Sequence, residues 1–260
     1  MCTLIALHRP DPQVPLVIAA NRDEYLVRPA EGPALRTRNG CRFLAPLDQQ
    51  AGGTWLGISE TGVFSALTNR PCADPDRSLR SRGWLVAEAL EAETAEEAAG
   101  RFSDLPARAY NPFNLFVADG LRAFVATYQE SPCVTELAPG AHLIGNADPD
   151  DRSVPKVARL LEQAERVAEG PAEWWLEGLT AVCRSHDGGE AGPLASACVH
   201  AGEYGTRSST LLKLAADPAL SELRFADGPP CRTEYDEFSP LLHQLLRGER
   251  GAGEIARSLG

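Results

Sequence analysis

Short apolar runs separated by proline- and glycine-rich turns dominate the first part of the chain, and this pattern predicts strands. Residues 3–8 and 16–21 are two such runs, and three prolines lie in the turn region between them. Residues 54–58 and 63–68 flank a short polar turn that ends in Gly62. Because glycine readily adopts the left-handed conformation, this second pair predicts a hairpin.

Apolar residues at helical spacing mark the other kind of element. Residues 84–102 show this spacing, and within them Thr94 and Glu97 stand in the positions of a capping box. Further helices are predicted at 154–167, 171–183 and 236–246. Further strands are predicted at 113–119, 121–129, 143–145, 197–200, 206–214 and 223–225.

The order of these elements predicts the fold class. Residues 29–48 are polar and rich in glycine, proline and arginine, so we expect a long loop there. Strands and helices otherwise come in blocks, which favours an α+β layered fold with antiparallel sheets. Since no repeat or linker interrupts the chain, we predict one domain over residues 1–260.

Composition narrows the classes of function. The chain has 260 residues, 43% of them hydrophobic and 23% charged, which is typical of a globular protein. Its formal charge of −11 disfavours binding to nucleic acid or to anionic membranes. No apolar run approaches the ~20 residues of a membrane span, and the first run is too short for a signal peptide. Seven cysteines without framework spacing indicate a reducing compartment, so we expect a cytoplasmic protein.

Cys2 is a candidate nucleophile because it directly follows the initiator methionine. If Met1 is removed, the chain begins with a residue that carries both a thiol and an α-amine. The amine has a pKa near ~7.7–8.0, so it is a suitable general base placed beside its own nucleophile. The alternative is a buried strand cysteine that happens to be second.

The polar cluster 21–24, Asn-Arg-Asp-Glu, ends the second predicted strand. In a catalytic interpretation Asp23 orients the amine or thiol of Cys2. Strand alternation would place Asn21 and Asp23 on one face, with Ala20 and Arg22 on the other. The alternative is a solvated turn.

Two short pairs of possible metal ligands occur late in the chain. Cys183 with His186, and Cys198 with His200, have spacings unlike the usual zinc patterns. A helix end and a strand could still converge to bring them together. On spacing we predict no metal site.

Four motifs together resemble the NRDE family, which is also called the transport and Golgi organisation protein 2 family. They are the Met-Cys-Thr start and the blocks at 20–25, 52–57 and 66–69. The resemblance covers the whole chain. It implies an N-terminal-nucleophile (Ntn) hydrolase-like fold, a four-layer αββα sandwich with two antiparallel sheets.

A more distant resemblance is to the choloylglycine hydrolase and penicillin V acylase branch of the Ntn enzymes, in which an N-terminal cysteine attacks an amide. It implies these catalytic residues: Cys2, Asp23, Asn69, Asn146 and Arg207. Asn69 matches the oxyanion-hole asparagine, and Arg207 matches an active-site arginine. Those hydrolases usually carry an arginine three residues before the aspartate, where this chain has Ala20. Arg22 lies one pleat further along the same face, roughly 6–7 Å away, and is the candidate substitute.

Two functions follow from these resemblances. The first is a hydrolase that uses Cys2 to cleave an amide or thioester of an acyl compound, with substrate contacts from Asn21, Arg22 and Trp55. The second is a non-catalytic protein that binds or traffics haem or an acyl lipid in an aromatic pocket on the same scaffold. We expect a small acyl compound or haem as partner. We expect no resident cofactor, although haem could be a transported ligand.

Overall fold

The computed structural model describes residues 2–249 and the backbone of residues 257–258. The chain divides into two compact units, each built from two separate stretches of sequence. The first unit comprises Met1–Arg28 and Pro139–Phe238, and the second comprises Pro29–Ala138 and Ser239–Gly260. A single domain over residues 1–260 stays a prediction.

Strands and helices alternate in blocks along the chain. The strands are β1 (Cys2–Asp11), β2 (Val14–Tyr25), β3 (Ala30–Arg38), β4 (Cys41–Asp48), β5 (Leu56–Ser59), β6 (Phe64–Asn69), β7 (Phe113–Ala118), β8 (Ala123–Tyr128), β9 (Pro132–Leu137), β10 (Gly140–Ile144), β11 (His200–Ala201), β12 (Tyr204–Leu214), β13 (Glu222–Ala226), β14 (Asp236–Glu237) and β15 (Arg257–Ser258). The α-helices of the described residues are α1 (Gly83–Ala89), α2 (Ala95–Ser103), α3 (Pro155–Ala168), α4 (Trp175–Arg184) and α5 (Ser239–Leu246). Short 3-10 helices occur at Ala172–Trp174, Gly189–Ala191, Pro193–Ala195 and Pro218–Leu220.

The first unit contains an antiparallel sheet in the order β10-β1-β2-β12-β13-β14, with β11 also paired to β12. Its hydrophobic core joins the apolar residues of β1 and β2 to helices α3 and α4. Ile5, Val17, Leu160 and Leu179 are fully buried in this core. The two central strands are therefore covered by helices on one face, and the end of β2, next to the start of β1, carries the polar cluster.

The second unit contains a sheet in the order β15-β3-β4-β5-β6-β7-β8-β9. Its pairs are antiparallel except for β15 with β3, which are parallel. Phe113 and Tyr128 stack at 5.0 Å in its core, where Leu85 and Phe102 of the first two helices are also buried. The predicted α+β class with two antiparallel sheets is confirmed.

The predicted cap and hairpin of this unit also occur in the structure. The Thr94 hydroxyl accepts a hydrogen bond from the backbone N–H of Glu97, so Thr94 is the N-cap of α2. The predicted helix 84–102 is consequently two helices, α1 and α2. Gly62 has a φ of +83° in the turn between β5 and β6, as the hairpin required.

The long loop predicted at residues 29–48 is wrong, because this stretch forms the hairpin of β3 and β4. Arg36 shows how a polar residue of this stretch is satisfied within the sheet. Arg36 is only 2% exposed, donates through Nε to the backbone oxygen of Ala45, and pairs with Glu31. A register shift between Glu31 and Ala34 accommodates the intervening Pro33.

Strand β9 and residues 197–199 also differ from what the sequence predicted. Strand β9 was not predicted, since its alternate residues are exposed and its apolar pattern is weak. The strand predicted at 197–200 is absent as such; only His200 enters β11, and the preceding residues are irregular. Within residues 2–249, no helix has both the length and the apolar character that crossing a membrane requires.

Candidate active site

The candidate nucleophile lies at the start of β1, directly opposite Arg22 on β2. Directly paired residues of neighbouring strands project on the same face, so the thiol and the guanidinium are neighbours. Burial and, to a lesser degree, the Asp23 charge raise the pKa of the Cys2 thiol, whereas a hydrogen bond from the backbone N–H of Asp23 and the Arg22 charge act in the opposite direction. Because burial dominates, Cys2 is held as a neutral thiol.

Asp23 lies near the end of β2 and is 4% exposed. Its Oδ1 accepts a hydrogen bond from the Thr206 hydroxyl at 2.7 Å, and its backbone oxygen accepts one from the Tyr204 hydroxyl at 2.9 Å. Burial raises the pKa of the Asp23 carboxyl to about 6, although the charge of Lys156 acts to lower it. Thr206 thus holds a carboxyl group that changes charge close to neutral pH, and Tyr204 holds the backbone of the same residue.

Lys156, the second residue of α3, is a site residue that the sequence analysis missed. Its Nζ is buried and has no hydrogen-bond partner among the residues that the structure describes. Burial lowers the pKa of this amine, and the charges of Asp23 and Cys2 act to raise it. A signal was present in the sequence, because only two of the 25 basic residues are lysines. Unlike arginine, a buried lysine can lose its proton.

Asn21 is held by hydrogen bonds inside the protein. Its side-chain nitrogen donates to the backbone oxygens of Cys183 and Ala197, both at 2.9 Å, and its Oδ1 accepts from the Ser209 hydroxyl at 2.6 Å. These bonds tie β2 to the end of α4 and to the segment before β11. Its substrate-binding role stays a prediction.

Arg207 lies on the same sheet as Cys2, and Asn146 lies in the loop that follows a strand of that sheet. Asn146 is two residues beyond the end of β10, which pairs with β1, and a Cβ placed on the preceding Gly145 would lie 3.8 Å from the backbone oxygen of Cys2. Arg207 is the extra residue of a bulge in β12, and its side chain forms an ion pair with Asp227. The structure therefore brings the loop of Asn146 next to the nucleophile's strand.

Asn69 and Trp55 belong to the second unit. Asn69 ends β6 and is paired with Phe113 of β7. Trp55 immediately precedes β5, and its backbone oxygen accepts a hydrogen bond from the N–H of Leu67 at 2.9 Å. Their contributions to catalysis and substrate binding stay predictions.

The structure brings together three of the four residues in the candidate cysteine–histidine pairs. His186, Cys198 and His200 come together, but the fourth member of the group is Cys231. Cys183 is buried in the core between α4 and the sheet. The sequence analysis missed Cys231 because it lies about thirty residues further along the chain, outside any short motif.

The arrangement around Cys2 has the components of nucleophilic catalysis. A desolvated thiol lies beside a guanidinium, a backbone N–H and a buried carboxyl group, and a buried amine acts on both the thiol and the carboxyl. Strongly shifted pKa values in one cluster are typical of functional sites.

Comparison with known proteins identifies the family. The family model described as Transport and Golgi organisation 2 matches residues 1–223. The chain belongs to this family. Among curated members, the Transport and Golgi organization protein 2 homolog of Bos taurus is 32% identical over 231 residues, which is 78% of this chain and 83% of that protein. The Homo sapiens homolog is 30% identical over 229 residues, with the same shares.

Solved structures show the fold. A Caenorhabditis elegans ortholog of N-acylethanolamine-hydrolyzing acid amidase superposes with a TM-score of 0.59 at 14% identity, covering 82% of this chain and 92% of that one. A mutant conjugated bile acid hydrolase from Clostridium perfringens superposes with a TM-score of 0.53 at 11% identity, covering 92% and 96%. The expected Ntn-hydrolase-like fold is confirmed.

Proposed function

We propose that this family member is an N-terminal cysteine hydrolase that cleaves an amide or thioester of an acyl compound. The observation that carries the proposal is the position of Cys2 opposite Arg22 and beside the buried Asp23. The fold relatives support the substrate class, since their names describe hydrolysis of N-acylethanolamines and of conjugated bile acids.

The first chemical step requires the α-amine that removal of Met1 would expose. Because burial holds the Cys2 thiol neutral, a base must take its proton as sulfur attacks. In our proposal the α-amine takes that proton while the Cys2 sulfur bonds to the carbonyl carbon, whose oxygen becomes an oxyanion. Asn69 is the proposed oxyanion donor.

The second step releases the products. The tetrahedral intermediate collapses, the bond to the leaving nitrogen or sulfur breaks, and the ammonium returns its proton to the leaving group. Water then attacks the thioester formed on Cys2, and the α-amine again takes and returns a proton. The acid is released and the thiol is restored.

Asp23 and Lys156 are proposed as positioning residues for this chemistry. An ionised Asp23 carboxylate would orient the α-ammonium, and the Lys156 charge favours that ionised form. Because the pKa of Asp23 is about 6, the rate should rise as pH increases through that value. The related hydrolases usually carry an arginine at the position where this chain has Ala20. We further propose that Arg22 takes over the role of that arginine and pairs with the substrate.

The decisive experiment combines protein chemistry with a substrate screen. Intact mass and N-terminal sequencing of the purified protein establish whether the chain begins at Cys2. N-acylethanolamines, conjugated bile acids and acyl-coenzyme A thioesters are then incubated with the wild type, with Cys2→Ala and with Cys133→Ala. Cys133 is an exposed cysteine of the second unit and serves as the matched control.

We expect a chain that begins at Cys2, turnover of one substrate class, loss of that turnover in Cys2→Ala, and wild-type rates in Cys133→Ala. A retained Met1 would contradict the proposal, since it removes the base. Equal rates in Cys2→Ala and the wild type would also contradict it. If no substrate is cleaved and Cys2→Ala binds haem or an acyl chain as the wild type does, the non-catalytic binding function replaces it.

A further inference from the structure

A second cluster of reactive side chains lies in the first unit, outside the proposed active site. His186, Cys198, His200 and Cys231 each direct one ligand atom into a common space, and these four atoms all lie within 4.8 Å of one another. The Cys198 and Cys231 sulfurs are 3.6 Å apart, and His200 Nε2 lies 3.2 Å from the Cys231 sulfur and 3.8 Å from that of Cys198.

The three separations among Cys198, His200 and Cys231 fit a tetrahedral zinc ion. With zinc–sulfur bonds of about 2.3 Å and zinc–nitrogen bonds of about 2.05 Å, a regular tetrahedron has ligand separations of about 3.8 Å (S–S), 3.5 Å (S–N) and 3.3 Å (N–N). The measured sulfur–sulfur and sulfur–nitrogen distances differ from these by a few tenths of an ångström. From this geometry we infer that the four residues form a structural zinc site of the Cys2His2 type.

The orientation of His186 fits the same site. Its Nδ1 lies 3.2 Å from the backbone oxygen of Cys198. A proton on Nδ1 that is donated to this oxygen leaves the lone pair on Nε2 for the metal. Such a bond from the second ring nitrogen is what metal-binding histidines usually have, because it fixes the tautomer and the ring orientation.

Backbone hydrogen bonds hold the segments that carry these ligands. The N–H of Cys198 donates to the Ser185 oxygen at 2.9 Å, next to His186. His200 begins the β11–β12 hairpin and is paired with Gly205. The hairpin is packed closely there, because a Cβ on Gly205 would lie 2.6 Å from the backbone oxygen of Val199. The turn of Cys231 is tied to the end of α4 by Arg184, whose Nε donates to the Pro230 oxygen at 2.9 Å. The ligands are therefore positioned by the fold before any ion binds.

The composition of the site indicates a structural ion. Four protein ligands close a tetrahedral shell, whereas catalytic zinc keeps one position for water or substrate. Sulfur and imidazole ligands in a tetrahedron suit zinc and not magnesium or calcium, which prefer oxygen. The ion would link the irregular segment after α4 to the turn that precedes β14, where the structure has only short elements.

The site adjoins the residues that hold Asp23. The N–H of Val199, between two of the ligands, donates to the Thr206 hydroxyl at 2.9 Å, and that hydroxyl donates to Asp23. The backbone oxygen of Ala197, next to Cys198, accepts from Asn21. A zinc ion here would stabilise the backbone that fixes the end of β2.

The test measures zinc in untagged full-length protein purified under reducing conditions, with Cys231→Ser, His186→Gln and Cys133→Ser as variants. The proteins are incubated with zinc sulfate, desalted and analysed by inductively coupled plasma mass spectrometry. We expect one zinc per chain in the wild type and in Cys133→Ser, and at least tenfold less bound zinc in the other two. Cobalt(II) in place of zinc should give the absorption of a tetrahedral thiolate complex.

His186 is exposed, so its glutamine variant separates ligand loss from misfolding, and circular dichroism checks that it is folded. Less than a tenth of an equivalent of zinc in the reduced wild type would overturn the inference. Equal zinc content in the wild type and a folded His186→Gln or Cys231→Ser variant would overturn this ligand set. A Cys198–Cys231 disulfide as the isolated state, with no zinc uptake after reduction, would replace the metal site with a redox pair.

Discussion

Polar side chains that the fold removes from water are concentrated at the end of β2. Asn21, Arg22 and Asp23 are respectively 1%, 6% and 4% exposed. A buried polar group is costly unless it is hydrogen-bonded or paired, and Asn21 and Asp23 obtain these bonds from β12, from the end of α4 and from the segment before β11. This arrangement makes the stability of the protein depend on the charge of one carboxyl group.

We expect stability to depend on pH through Asp23. Its pKa rises from the ordinary 3.8 to about 6 in the folded protein, which binds that proton more tightly than the unfolded chain does. The contribution of this shift to the free energy of unfolding is fully present below pH 3.8 and is lost as pH rises through about 6. Relative to Asp23→Asn, the wild type should lose about 2 kcal/mol of unfolding free energy between pH 4 and pH 7.

Urea unfolding of both proteins at each pH measures this difference, with the exposed Glu173→Gln as a control that should show little change. A wild-type minus Asp23→Asn difference that stays constant across the range would contradict the prediction.

We expect Lys156→Met to raise the pKa of Asp23, because the Lys156 charge acts to lower it. An NMR titration of the Asp23 carboxyl carbon, assigned by its loss in Asp23→Asn, measures the shift. The chain's other lysine provides the control, since Lys213 pairs with Glu222 at the far end of β12. Equal shifts in Lys156→Met and Lys213→Met would show that Lys156 has no specific effect.

At the scale of single elements, close backbone contacts decide where glycine is required. Gly53, in the loop before β5, meets Gly83 at the start of α1, and the N–H of Thr54 donates to the Gly83 oxygen at 3.2 Å. A Cβ on Gly53 would lie 2.6 Å from the Gly83 carbonyl carbon. The helix approaches this loop closely because Gly53 lacks a side chain, and a Cβ on Gly83 would also be crowded, at 3.1 Å from the Thr54 oxygen.

Two glycine-to-alanine substitutions should therefore have opposite effects on stability. Gly53→Ala forces backbone to move, and we expect a loss of ~1–3 kcal/mol. Gly100 lies inside α2 with nothing within 4 Å of an added Cβ, so Gly100→Ala should stabilise by ~0.5–1 kcal/mol. Denaturant midpoints measure both changes, and a Gly53→Ala variant as stable as the wild type would refute the packing argument.

For the molecule as a whole, the two units are interleaved in sequence. In sequence order, the first unit ends at Phe238, and α5 follows it as part of the second unit. Leu242 and Leu245 of this helix are fully buried, and α5 packs on β3 and β4. Residues near the end of the chain thus stabilise strands almost two hundred positions earlier.

We expect Leu242→Ala to lower the free energy of unfolding by ~2–5 kcal/mol. Hydrogen exchange should show faster exchange of the β3 and β4 amides, because these strands lose the helix that covers them. Leu220→Ala, at a leucine that is 64% exposed, is the matched control and should leave exchange unchanged. Loss of protection in β1 and β2 alone would contradict this assignment of α5.

Local patterns in the sequence predicted most elements and the family. Apolar periodicity, the Thr94 cap and the Gly62 turn depend on residues a few positions apart, so they can be interpreted without the fold. The motifs around Cys2 and Asp23 indicated the Ntn-hydrolase-like fold. The strands at 29–48 were missed because Arg36 looks polar in sequence, although its partners allow it to be buried.

Tertiary structure decided which distant side chains meet. Lys156 and Asp23 are more than a hundred residues apart, and Cys231 joins ligands that lie 31 to 45 positions before it. No periodicity encodes such distances, because the pairing of strands and the packing of helices determine them. The sequence by itself determined the element types, the candidate nucleophile and the family. Only the folded chain decided which charges surround that nucleophile and which four side chains form the zinc site we infer.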